Sequence, residues 1–177
     1  MKRKRPVTAA MMALVSTLAA PAFAQTAPAA PAPSPVPINP ALITLKLATQ
    51  LSQDALATCA AKGEHATAVV MDADGFVRIV MSDDNAASVG LTSSMGKANA
   101  VLDFKISTRD AQQRLQSDAA FAAQNGKNPR YFFHPGGLPL YRAGKFVAIF
   151  AVGGGHDKDE DCAKAALAKV PDLTTQP

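Results

Sequence analysis

Two places in this chain force it to double back between runs that suit a β-strand, and they restrict the fold more than any other feature. Thr67 to Met71 is apolar and β-branched, Asp72-Ala73-Asp74-Gly75 is a turn, and Phe76 to Met81 resumes with Val and Ile. Leu138 to Tyr141 and Lys145 to Val152 repeat the arrangement around Arg142-Ala143-Gly144. Strands joined by so few residues must pair antiparallel, because a parallel return needs a crossover of a dozen residues or more.

Around the two hairpins the apolar period becomes that of a helix. Thr44 can cap a helix in which Leu45, Ala48, Leu51, Ser52, Ala55, Leu56 and Cys59 share a face, ending near Lys62-Gly63. Val89 to Phe104 places Leu91, Ser94, Met95, Ala98, Val101 and Leu102 on one face. Ser107 or Thr108 can cap a short helix through Leu115, and Ser117 to Gln124 reads as helical. Tyr131 to Phe133 reads as a strand ended by His134-Pro135-Gly136-Gly137, and Asp157-Lys158-Asp159-Glu160 reads as a capping box for a last helix through about Lys169. The expected class is α/β (α+β), one antiparallel sheet flanked by helices.

The ends of the chain read differently. Lys2 to Arg5 is basic, Val7 to Ala20 is apolar, and Ala22-Phe23-Ala24 is a small-x-small cleavage site, so residues 1–24 are expected to be a secretory signal peptide. The apolar run is too short to span a bilayer, and no stable membrane insertion is expected once it is cleaved. Residues 25–40 hold six prolines and four alanines and are expected to be an extended linker. The folded domain is expected over 41–171, with 172–177 a C-terminal tail. Four of the 18 Lys and Arg lie in the first five residues, which leaves 14 against 14 Asp and Glu. That balance removes the electrostatic case for a nucleic-acid partner.

The segments Val69 to Gly75 (V-V-M-D-A-D-G), Gly96-Lys97-Ala98, Gly136-Gly137-Leu138-Pro139-Leu140, Gly144 to Ile149, Val152-Gly153-Gly154 and Asp159-Glu160, in that order and spacing, resemble the GlcG/HbpS haem-binding protein family. The resemblance spans roughly Leu42 to Val170. It implies a profilin-like α/β/α fold around a five-stranded antiparallel sheet, a homo-oligomer, haem or a related tetrapyrrole as ligand, and haem handling or redox sensing in the periplasm or outside the cell. The chain departs from the family where Ala86 to Thr92 lacks the His that many exported relatives carry, and where Phe150-Ala151 is bulkier than usual.

In an exported protein two cysteines are usually paired, and the resembled fold puts the helices of Cys59 and Cys162 on one face of the sheet. A disulfide is therefore expected, with two buried thiols or a metal pair as alternatives. Haem needs an apolar slot, an axial ligand and cations for its propionates. His134 is the candidate iron ligand, or else a surface turn histidine. Tyr131 can ligate iron or pack, as can Tyr141, and Phe133 offers a ring for stacking. Arg130, Arg142 and Lys97 are candidate propionate partners, and Met95 is a ligand or a core residue. His156 reads as a loop residue and His65 as solvent-facing. No G-x-S-x-G, H-E-x-x-H or partnered carboxylate pair points to an enzyme. An organic-acid-binding accessory factor or enzyme of the glycolate-associated type, and a non-catalytic interaction protein, remain the alternatives to a haem-binding module.

Overall fold

A computed structural model of the protein describes residues 43–177. The signal and linker readings for 1–40 lie outside the described residues. The order is α1 (Leu45–Ala61), β1 (Thr67–Asp72), β2 (Val77–Ser82), α2 (Ser88–Phe104), α3 (Thr108–Ser117), α4 (Ala119–Asn125), β3 (Gly137–Arg142), β4 (Lys145–Gly153), a short 3-10 turn at His156–Lys158, and α5 (Asp159–Leu167).

Both expected hairpins form. In the first, Asp72 Oδ1 accepts the amides of Asp74 (3.0 Å) and Phe76 (2.9 Å), and Arg78 donates to Oδ2 at 2.6 Å. In the second, Arg142 pairs with Lys145 across a two-residue turn in which Ala143 (φ 49°) and Gly144 (φ 74°) are both left-handed. Two positive φ values match the turn to the right-handed twist of the strands. The sheet order is β2-β1-β4-β3, antiparallel throughout, with Val69 opposite Ala151 and Val70 opposite Phe150 in the central pair. β1 is buried along its whole length, so its apolar run carries no alternation.

Helices cover both faces. α1 and α5 pack on one side over Leu51, Val70, Leu140, Phe150, Val152 and Ala163. α2 packs on the other over Val69, Met71, Ala98, Val101, Ile149 and Ala151. Thr44 Oγ1 caps α1 by accepting the Leu47 amide at 3.2 Å, and Ser107 caps α3 through the Asp110 amide at 3.1 Å. The Cys59–Cys162 disulfide joins α1 to α5 across a Cα separation of 5.5 Å.

Four expectations need correction. The sheet has four strands among the described residues, not five: Tyr131 to Phe133 is extended but pairs with no strand. Tyr131 and Phe133 instead pack with Phe104 and Phe121, at ring separations of 4.9 to 6.0 Å. This aromatic cluster, not a backbone ladder, holds the segment. The capping box before α5 does not form: the helix starts at Asp159 with Lys158 in the N-cap position, and the Glu160 side chain is drawn into ion pairs with Arg109 and Lys164. Leu45 and Leu91, both expected on buried faces, are 62% and 46% exposed. Finally, the chain past Pro171 still packs: Leu173 is buried, and Thr174 exchanges backbone hydrogen bonds with Tyr141 at 2.8 and 2.9 Å, which covers part of the outer edge of β3.

Candidate functional site

In the segment 131–134 each ring meets the one two residues away, so the side chains fall into two sets. Tyr131 and Phe133 turn into the aromatic cluster, and Phe132 and His134 turn the other way, with their rings 6.1 Å apart. They form one wall of a cleft of about 390 Å³. The opposite side comes from the turn that follows β4, through Gly154, His156 and Asp157, and the start of α2 adds Val89 and Ser93. Phe132 and Val89 present apolar surface, at 44% and 60% exposure. His134 Nε2 lies 3.5 Å from Asp157 Oδ1, and His156 Nδ1 lies 3.2 Å from Glu64 Oε2.

Behind the cleft wall, Lys97 of α2 is fully buried. Its Nζ donates to the Val152 carbonyl at 2.9 Å and to Asp159 Oδ2 at 2.5 Å. Burial pushes the Lys97 ammonium below its usual pKa, and the Asp159 and Glu160 carboxylates oppose that shift. Asp159 also accepts the Gly155 amide at 2.7 Å and reaches the cleft. Glu160, equally buried, meets Arg109 and Lys164, each at 2.6 Å.

The sequence-derived candidates therefore separate. His134 and His156 come together. Lys97 stands next to the cleft, but its ammonium is enclosed, so it cannot reach a propionate. Phe133 and Tyr131 belong to the aromatic cluster on the far side of the segment. Arg130 pairs with Asp103 at 3.0 Å, and the Tyr131 hydroxyl donates to the same carboxylate at 2.8 Å. The Arg130 hydrogen bond above all holds the Asp103 carboxyl below the usual range; burial, the next-largest effect, opposes it, and the Tyr131 hydrogen bond adds to the lowering. Arg142 meets Asp172 at 2.9 Å at the hairpin end of β4, nine residues or about 30 Å of strand from the cleft end. Met95 packs against the core beneath α2, Tyr141 packs on Phe146, and His65 meets Asp83 at 2.6 Å outside the cleft. Of the two phenylalanines that precede His134, Phe132 rather than Phe133 lines the cleft.

Among the described residues no three His, Cys, Asp or Glu side chains converge to hold a bare metal ion. The cleft suits a flat apolar ring that brings its own metal: Phe132 and Val89 supply apolar surface, Gly154 leaves room, and two imidazoles carry nitrogens of the kind that ligate iron. Its charged lining groups are both carboxylates, so acidic substituents on such a ring would have to point outward to solvent.

The family model described as "Haem degrading protein HbpS-like" matches residues 43–168. The crystal structure of HbpS is 26% identical, with a TM-score of 0.64 over 73% of this chain and 90% of that one. A double mutant of HbpS from Streptomyces reticuli is 27% identical, with a TM-score of 0.65 over 79% and 99%. The PduOC–haem complex has a TM-score of 0.70 over 77% and 99%, but at 20% identity that likeness speaks to the fold alone. No curated protein matches. With the family model spanning nearly all of the described domain, the chain belongs to the HbpS-like haem-degrading protein family.

Proposed function

We propose that this protein binds haem in the cleft between the 132–134 segment and the turn after β4, with His134 at the iron and Phe132 against the porphyrin face. The observation that carries this reading is the pairing of an accessible imidazole with an exposed aromatic ring in one apolar-walled cleft. Family membership supports it. Bound haem would supply a redox-active iron. The residues of this chain would orient it, with Val89 and Phe132 excluding water from one face and the propionates directed to solvent. Asp157 must release His134 Nε2 for iron to bind there. The carboxylates that line the cleft, Asp157 and Asp159, would oppose an organic-acid anion, which favours haem over the organic-acid alternative.

The test is a hemin titration read in the Soret region. The native protein gives a saturable band, and His134→Ala weakens binding by about tenfold or more. A band unaffected by His134→Ala moves the ligand elsewhere, and no saturable band refutes the proposal. Decay of the band with iron release in the presence of dioxygen and a reductant, but not of the reductant alone, would extend the reading from holding haem to breaking it down.

The proposed setting is the periplasm or the exterior, with residues 1–24 removed and 25–40 as spacer. The disulfide supports this, since such bonds persist in oxidising compartments. An exported chain whose intact mass does not begin at Gln25 would count against it. The protein is further proposed to self-associate. Among the described residues, strand β2 pairs on one edge only, and Phe76, Val77 and Val80 beside that free edge are 67%, 37% and 43% exposed.

A further inference from the structure

The buried Lys97–Asp159 pair lies where four segments of the cleft meet. Lys97 extends from the middle of α2. Its ammonium binds the carbonyl of Val152 near the end of β4 and the carboxylate of Asp159 at the start of α5. Asp159 in turn receives the amide of Gly155 from the turn after β4. The fourth segment is the Pro135–Gly136 loop. Gly136 has φ of 132°, and a Cβ there would stand 2.8 Å from Lys97 Nζ and 2.6 Å from the Val152 oxygen. The Val152 amide donates to the Gly136 carbonyl at 2.9 Å, which closes the arrangement. His134 lies two residues before Gly136, and His156 directly follows Gly155.

A fully buried ion pair is a poor stabiliser, because the cost of taking both charges out of water offsets their attraction. An apolar pair of the same volume would hold α2 to α5 at least as well. It would not fix the direction of two backbone segments at once. An ammonium with three donors and a carboxylate with two acceptor oxygens can do so.

We propose that Lys97, acting through Asp159, is a positioning residue that sets the separation and aim of the two histidine-bearing segments, and so the width of the cleft. The inference rests on the haem reading for its consequence, but not for its test.

The decisive comparison is between Lys97→Met and the double variant Lys97→Met/Asp159→Leu. The single change strands a buried carboxylate and lowers the melting temperature sharply. The double change restores most of that loss. In the double variant, amide hydrogen exchange at 134–137 and 153–157 nonetheless rises about tenfold or more relative to the rest of the sheet, and hemin affinity falls by about tenfold. Native exchange at both segments in a stable double variant overturns the proposal. If the native protein takes up no hemin, the haem reading fails, and exchange alone still decides the role of Lys97. Should the double variant fail to fold, Lys97→Arg takes its place. It keeps the charge, but its bulkier planar guanidinium does not fit the enclosed space in which Nζ meets Val152 and Asp159, and native exchange at both segments in that variant overturns the proposal equally.

Discussion

At the scale of single residues, the charged groups that matter are those whose partners are set by the fold. Asp103 is shared by Arg130 and Tyr131, and its carboxyl is held below the ordinary range mainly by the Arg130 hydrogen bond. A carboxylate with a depressed folded-state value adds stability that is fully present above its unfolded value, near pH 4. That stability is lost as the pH falls through the lower folded value. Asp118 and Asp83 are depressed too, chiefly by the backbone amides of Phe121 and Asn85. The urea midpoint is therefore expected to fall as the pH drops from about 4 to about 2. Arg130→Met should flatten part of that decline. A decline as steep in the variant as in the native protein would remove Asp103 from the account. Because Asp103 and Arg130 are both partly solvated, the effect at neutral pH should be small.

At the scale of elements, the helix pair α1–α5 is held by small residues in close contact and by the disulfide. Ala48, Ala55, Cys59, Cys162, Ala163 and Ala166 are all fully buried. The bond closes a loop with a sequence separation of 103, and constraint of the unfolded chain by a loop of that length is worth up to about 4–5 kcal/mol. Reduction, or Cys59→Ala with Cys162→Ala, should lower unfolding free energy by an amount approaching that figure while leaving the sheet formed. Unfolding curves with and without reductant measure it, and coincident curves would show that the bond adds nothing. The period of α1 was readable because its buried stripe is apolar. That of α2 was read less fully: Ser94, Ala98 and Val101 are buried as expected, but the packed face also takes in Gly90, Ser93, Gly96, Lys97 and Ala100. Small and charged residues allow close approach to β4 and carry an ion pair, and no hydropathy pattern distinguishes such a face from a solvated one.

At the scale of the whole molecule, the two sheet edges differ. The outer edge of β3 carries Pro139, which has no amide to offer, and is partly covered by Thr174. The outer edge of β2 has neither protection among the described residues, and unprotected apolar edges invite pairing with another chain. Self-association through β2 predicts that Val80→Lys lowers the molar mass measured by light scattering without lowering the melting temperature of the domain by more than about 1 kcal/mol equivalent. An unchanged mass would place any interface elsewhere.

Much of the architecture follows from local sequence. The hairpins are fixed by turn residues whose backbone preferences act over four positions. The caps at Thr44 and Ser107 act over three, and the stripe of α1 repeats with the helical period. Each of these is decided by neighbours along the chain. The corrected features are not local. Tyr131 to Phe133 has the composition of a strand, yet Phe104 and Phe121 take two of its rings. Glu160 has the position of the second capping-box residue, yet Arg109, fifty-one residues earlier, takes its carboxylate. That none of Lys97, Arg130 and Arg142 lines the cleft depended on where Asp159, Asp103 and Asp172 came to lie. The sequence alone established the antiparallel class, the helical cover and the family. Only the tertiary structure decided the strand count, the partner of each charge and the side of the chain from which His134 and Phe132 meet a ligand, because burial and ion pairing are settled between segments that are distant along the chain.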